Sequence, residues 1–151
     1  MKIHTLLTAA FMLLLCVAAS AQQSETEQAI TRTVLNYAEG WYEGDAAKME
    51  SALLPDLAKR RIEPAGEGRN RVSELSSLGL VQMARTGYGK NTPKAEQKKD
   101  VKILDIFRET ATVRLEMRDW VDYMHVAKYN GKWLIVNVLW DLKPRNTDGK
   151  D

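Results

Sequence analysis

DYMHVAKYNGKWLIVNVLWDL, residues Asp122 to Leu142, decides the fold of this chain. It reads as two strands rich in β-branched and aromatic residues around Asn130-Gly131. Both central residues of a type I′ turn need positive φ, so Asn-Gly marks a two-residue hairpin. That turn fixes a register in which Tyr129 pairs with Lys132, Val126 with Ile135 and Asp122 with Leu139. One face then carries Tyr123, His125, Ala127, Leu134, Val136, Val138 and Trp140. The other carries Asp122, Met124, Val126, Lys128, Trp133, Ile135, Asn137 and Leu139. Both faces are largely apolar, and a sheet apolar on both sides must be covered twice. Helices supply one cover. A ligand or a second subunit supplies the other, so a homodimer is expected.

Outward from this hairpin, the N-terminus reads as an export signal. Lys2 gives a basic start, Leu6 to Ala19 is apolar, and Ala19-Ser20-Ala21 is a small-residue cleavage site, placing a signal peptide at residues 1–21. The apolar run is short for a bilayer span, which takes about 20 residues. A secreted or periplasmic protein, with no membrane association after cleavage, is the expectation. The chain's single cysteine, Cys16, leaves with the signal, so the mature protein has no disulfide. Residues 22–142 suffice for one domain with a single core, and residues 143–151 form a polar C-terminal tail. Charge is nearly balanced, with 22 lysines and arginines against 20 acidic residues. The basic cluster of Lys59, Arg60, Arg61, Arg69 and Arg71 is flanked by acids. Nucleic acid, which needs a basic face, is not an expected partner.

Three helices precede the strands. Ser24 and Glu27 have capping-box spacing, and Ile30, Val34, Tyr37 and Trp41 follow at helical period. Gly44 ends this helix, Asp45 caps a short second one with Ala46, Met49 and Leu53 inward, and Pro55 closes it. The third spans about Ser73 to Arg85, with Leu75, Leu78 and Val81 as its apolar side. RRIEPAGEGRNR before it, and the polar stretch from Thr86 to Lys99 after it, read as loops. From Val101 the period becomes two. Val101, Ile103, Asp105 and Phe107 form one face of a strand, and Ala111, Val113, Leu115 and Met117 the apolar side of the next. Helices first and strands last is an α+β pattern. A two-residue turn at Asp119-Trp120 puts Val113 and Leu115 on the Asp122 face, which would then be the helix-covered one. A three-residue turn puts them on the His125 face.

The polar residues within these faces carry the functional question. Asp122 among Met124, Val126 and Ile135 is either a desolvated carboxyl, whose pKa burial raises in the absence of a cation, or an ionised group at a wet strand end, alone or paired with an arginine. His125 is the only histidine of the mature chain, so a protein-built zinc site is not expected. Asp122 and His125 lie three apart on a strand and therefore point to opposite faces. Tyr37 and Trp41 fall one helical turn apart.

The segment YAEGWYEGDAAKMESALLPD (Tyr37 to Asp56) and the closing hairpin resemble the nuclear transport factor 2-like (NTF2-like) superfamily. Within it they are similar to the small secreted bacterial proteins described as "putative lumazine-binding". The resemblance implies an α+β cone, three N-terminal helices packed on a curved antiparallel sheet, with a pocket between them and a dimeric assembly. The superfamily includes ketosteroid isomerases, which pair a tyrosine and a protonated aspartic acid as oxyanion donors with an aspartate base. By resemblance Tyr37 stands at the tyrosine, Asp122 at the strand acid and Trp140 at an aromatic of the pocket wall. Register, by contrast, puts Trp140 on the face opposite Asp122. The base position falls at Arg61, and a guanidinium does not abstract protons.

These readings predict a non-catalytic domain, without cofactor or metal, binding a small apolar or aromatic molecule. Its ligand-binding residues are expected among Tyr37, Trp41, Arg61, Asp122, His125 and Trp140. The alternatives are a dimeric interaction module and an acid–base isomerase, dehydratase or cyclase.

Overall fold

The computed structural model describes the backbone from Lys2 to Pro144 and the side chains from Gln23 to Pro144. The expected signal peptide, and the tail beyond Pro144, lie outside the fully described residues. The elements are α1 (Lys2–Glu43), α2 (Ala46–Ala52), β1 (Leu53–Pro64), β2 (Asn70–Ser76), α3 (Ser77–Arg85), β3 (Asp100–Phe107), β4 (Thr110–Glu116), β5 (Trp120–Tyr129) and β6 (Lys132–Leu142). The strands make one open sheet in the order β2-β1-β6-β5-β4-β3. All neighbours are antiparallel except β1 and β6, so the sheet is mixed rather than purely antiparallel.

Several local expectations change, each for a physical reason. Ser24 is a mid-helix residue whose hydroxyl accepts from Gln28 at 3.3 Å, not a cap; α1 already runs through the alanine- and leucine-rich stretch before it. Gly44, at φ +68°, does end α1. Asp45 caps α2, its carboxylate accepting from the Lys48 amide at 2.9 Å. The α2 helix stops at Ala52, three residues before Pro55, because the chain turns directly into β1. Gly40 allows α2 to lie close on α1: a Cβ there would sit 2.7 Å from the Met49 amide nitrogen.

The charged stretch RRIEPAGEGRNR, expected to be a loop, is most of a β-hairpin. Only Ala65 to Arg69 turns, with Gly66, Glu67 and Gly68 at positive φ. The flanking charges pair across the strands: Arg60 bonds its partner Glu74 at 2.7 Å, and Arg71 bonds its partner Glu63 at 2.9 Å. Leu75 belongs to β2, and α3 starts at Ser77, capped by Ser76, whose Oγ accepts from Gly79 N at 3.1 Å. Its buried side is Leu80, Val81 and Ala84, while Leu78 faces solvent.

The closing hairpin has the expected turn, with Asn130 and Gly131 both at positive φ. Its register holds as far as Val126–Ile135 and then shifts at a bulge, after which His125 pairs with Asn137 and Asp122 with Trp140. One extra residue, Val136, reverses which side chains of β6 face inward. Trp140 therefore shares the Asp122 face, and the conflict between register and resemblance disappears. The β4–β5 turn has two residues, Arg118 and Asp119, one position earlier than expected, closed by Met117 N donating to Trp120 O at 3.0 Å. Its even length puts Val113 and Leu115 on the Asp122 face, opposite Met124 and Asp122. A bulge at Leu104 likewise splits β3, so Val101, Ile103 and Ile106 turn inward while Asp105 and Phe107 turn out.

The core lies between the helices and the Asp122 face, with Ile30, Val34, Leu80, Val113, Leu115, Met124 and Ile135 fully or nearly fully buried. Thr33 ties α1 to β6, its hydroxyl donating to the Trp133 carbonyl at 2.9 Å. The opposite face of the sheet carries exposed Ile62, Val72, Tyr123 and Leu139.

Candidate functional site

Between α1, α3 and the sheet a cavity of about 310 Å³ opens. Tyr37 and Trp41 reach it from α1, Lys59 from β1, Leu80 and Met83 from α3, and Trp120 and Trp140 from the sheet. The aromatic walls are mutually packed. Trp120 meets Trp41 edge-on at 5.4 Å between ring centres and Trp140 at 6.2 Å. Tyr88 leans on Trp41 at 5.6 Å and forms part of the rim. Gly89 beside it is pressed against Trp41, where a Cβ would collide with both the indole and the Trp41 carbonyl.

The floor is polar. Lys59 is 3% exposed and Asp122 is fully buried. The Lys59 Nζ donates to Asp122 Oδ1 and, at 2.9 Å, to the Tyr37 hydroxyl. Asp122 Oδ2 accepts the Trp120 indole N–H at 2.8 Å. Nζ also lies 4.6 Å from the Trp140 ring centre, within cation–π range. Burial pushes the Lys59 amine below its ordinary range, and the neighbouring Asp122 carboxylate works against that push. Burial, with Asp122 adding to it, holds the Tyr37 hydroxyl well above the ordinary phenol range, so Tyr37 keeps its proton.

The six candidate residues thus separate. Tyr37, Trp41 and Trp140 line the cavity. Asp122 lies beneath it, reached through Lys59. It is neither an isolated carboxyl nor a wet strand end: it is buried with a cation, and that cation is Lys59 rather than an arginine. Arg61 stacks over Trp140 at 4.8 Å and bonds Glu63 through Nε at 2.8 Å, outside the cavity lining. His125 is exposed on the opposite face, with Asn137 Nδ2 3.3 Å from its Nδ1, and the structure does not bring it to this cavity. It borders a separate groove of about 290 Å³ with Phe107 and Thr112.

Sequence reasoning missed Lys59 and Trp120. Lys59 reads only as the first member of an acid-flanked basic cluster, directly before the stretch expected to be a loop. The period-two series Leu57, Lys59, Arg61, Glu63, whose members turn inward from β1, was the available signal. Trp120 falls within the expected Asp119-Trp120 turn, whereas it opens β5 two residues before Asp122, on the same face.

Chemically, the site presents an apolar, aromatic enclosure over an ammonium–carboxylate pair whose charges offset. Asp122 accepts at both oxygens, an arrangement unlike that of a protonated oxyanion donor. Among the described residues no group of three or more histidine, cysteine, aspartate or glutamate side chains is gathered to hold a metal ion.

Fold and site together define an NTF2-like α+β domain with a cavity between helices and sheet. The chain belongs to the family described as "Putative lumazine-binding", whose model matches residues 25–141. Solved structures share the fold. An NTF2-like protein of unknown function from Shewanella baltica is 19% identical, covers 80% of this chain and 96% of its own, and superposes with a TM-score of 0.61. An NTF2-like protein with a cystatin-like fold from Novosphingobium aromaticivorans is 14% identical over 89% of this chain and 90% of its own, with a TM-score of 0.60. A ketosteroid isomerase-like protein from Erwinia carotovora atroseptica is 11% identical over 78% of this chain and 96% of its own, with a TM-score of 0.50. No curated protein matches the sequence.

Proposed function

We propose that this protein is an exported, non-catalytic binding domain for a small, flat, uncharged and partly apolar molecule. The observation that carries the reading is the charge-balanced Lys59–Asp122 floor beneath tryptophan walls. An ammonium already matched by a carboxylate gives little net attraction to an anion, yet an N–H on Nζ and the Tyr37 hydroxyl still favour a carbonyl or ring-nitrogen acceptor. The aromatic walls supply the apolar contact that most small-molecule sites rely on. The family's name suggests pteridines as one class within this description, and they belong in the test beside simpler heterocycles. The experiment is a titration of intrinsic tryptophan fluorescence and thermal stability with uncharged heterocycles and with their carboxylated analogues. Saturable binding of the uncharged members, lost in Trp140→Ala, is expected. Preference for the carboxylates, or no binding by any member, overturns the reading.

The exposed apolar stripe on the outer face favours self-association as a companion property. Val72 pairs with Ile62 across β2 and β1, and Leu139 pairs with Tyr123 across β6 and β5. A second copy laid on this face would provide the missing cover.

A further inference from the structure

The small-molecule reading uses the Lys59 amine at the cavity floor only as a hydrogen-bond donor. Lys59 contributes to the cavity lining, so a bound molecule lies against its side chain. Its Nζ is in hydrogen-bond contact with a buried carboxylate and 2.9 Å from a phenol hydroxyl. We infer that Lys59 captures carbonyl compounds, so that an aromatic aldehyde or ketone held in the cavity condenses with Nζ to give an imine. This inference rests on the small-molecule reading of the same cavity and adds a covalent step to it.

Each part of the condensation has a group to perform it. An ammonium has no lone pair to donate, but Asp122, in contact with Nζ, is the base that removes one proton. Desolvation of the amine assists that transfer, because burial disfavours the charged ammonium. The Nζ lone pair then forms a bond to the carbonyl carbon as the C=O π pair moves onto oxygen. That oxygen takes the proton held by Asp122, and the nitrogen, now carrying the positive charge, returns one of its own to Asp122. The resulting carbinolamine loses its hydroxyl group as water, with the proton again supplied by Asp122, while the nitrogen pair closes the C=N bond. Overall, one carbonyl compound and Lys59-NH₃⁺ give a protonated imine and one water, with no oxidant or reductant. Tyr37, which keeps its proton, is placed to donate to the departing oxygen.

The product suits the site as well as the reactant does. A protonated imine retains the positive charge of the ammonium it replaces. Asp122 and the Trp140 face, which hold the ammonium, therefore hold the imine too. Lysines without such a partner and enclosure, such as the exposed Lys128 and Lys132, serve as internal references.

The test treats the folded protein at neutral pH with benzaldehyde and sodium cyanoborohydride, which reduces imines to stable amines, followed by peptide mass mapping. Lys59 is expected to acquire its benzyl group about tenfold or more faster than Lys128 and Lys132, as an activated amine should. Lys59→Arg, which keeps the cation, is expected to lose that fast label while the slow labelling elsewhere continues. Labelling of Lys59 no faster than the exposed lysines overturns the inference. Benzyl alcohol, which cannot condense, separates the two readings in the same preparation. If it shifts the tryptophan fluorescence while Lys59 stays unlabelled, capture fails and binding stands; if neither signal appears, both fail.

Discussion

The Lys59 ammonium and the Tyr37 hydroxyl meet at 2.9 Å from positions 22 residues apart, joining β1 to α1 directly beneath the cavity. Asp122 completes the junction from β5, so one buried cation holds three elements in place. Removing a member of such a group costs far more than the group contributes, because an uncompensated charge is left without water.

That asymmetry gives the first prediction. Lys59→Met, which strands the Asp122 carboxylate, is expected to lose about 3–5 kcal/mol of stability, and Asp122→Leu a similar amount. The double variant Lys59→Met/Asp122→Leu is expected to recover most of that loss. Urea denaturation of the four proteins measures the cycle. Additive single losses would show that the two side chains do not act as a pair.

Acid sensitivity should be concentrated at Glu116. Lys143, Lys98 and Arg114 all bond its carboxylate and hold its pKa at about 2, below the ordinary 4.5. A carboxylate depressed by folding contributes stability above its unfolded pKa and loses it as pH falls through the folded value. The contribution is therefore full above about pH 5 and fades towards about pH 2. Between those limits Glu116→Gln is expected to show a flatter stability–pH curve than the natural protein, with added salt narrowing the difference. Parallel curves would show that Glu116 is not the responsible group.

Gly89→Ala should act on the cavity wall more than on the core. The added methyl meets the Trp41 indole and carbonyl, so the Tyr88 segment has to lift from α1. The expected stability loss is about 1–3 kcal/mol, as for an overpacked site. The accompanying signal is a changed Trp41 environment and weaker ligand binding, read by fluorescence. Unchanged emission and affinity would show that the rim tolerates the displacement.

The outer face offers a separate test. A charge at Tyr123, half-exposed beside Leu139, is expected to turn a dimer into a monomer without altering thermal stability in dilute solution. Sedimentation of the natural protein and Tyr123→Glu reads this directly. A natural protein that sediments as a monomer at all concentrations removes the need for an interface there.

Much of the α+β arrangement is legible because amphipathic period and turn chemistry are local. Gly44, Asp45 and Asn130-Gly131 act within a few residues of themselves, and each appears where its backbone preference places it. The β1–β2 hairpin was not legible, because Arg60, Glu74, Glu63 and Arg71 look like solvated loop charges until pairing sets them opposite one another. The site was legible in its aromatic half, where Tyr37 and Trp41 share a helix face. Its charged half depends on Lys59 and Asp122 converging across 63 residues, which no local spacing encodes.

The extra residue at Val136 makes β6 two half-strands of opposite parity. The half near the turn supplies Trp133 and Ile135 to the core; the half beyond it supplies Val138 and Trp140 to the inner face. Continuous pairing of all residues through this point would set Leu139 opposite Asp122 and turn Trp140 to the outer surface, while leaving the turn-proximal core in register. Straightening β6 at this point thus offers descendants of this chain a route to trade a ligand wall for an outer surface, without redesigning the hairpin that folds them.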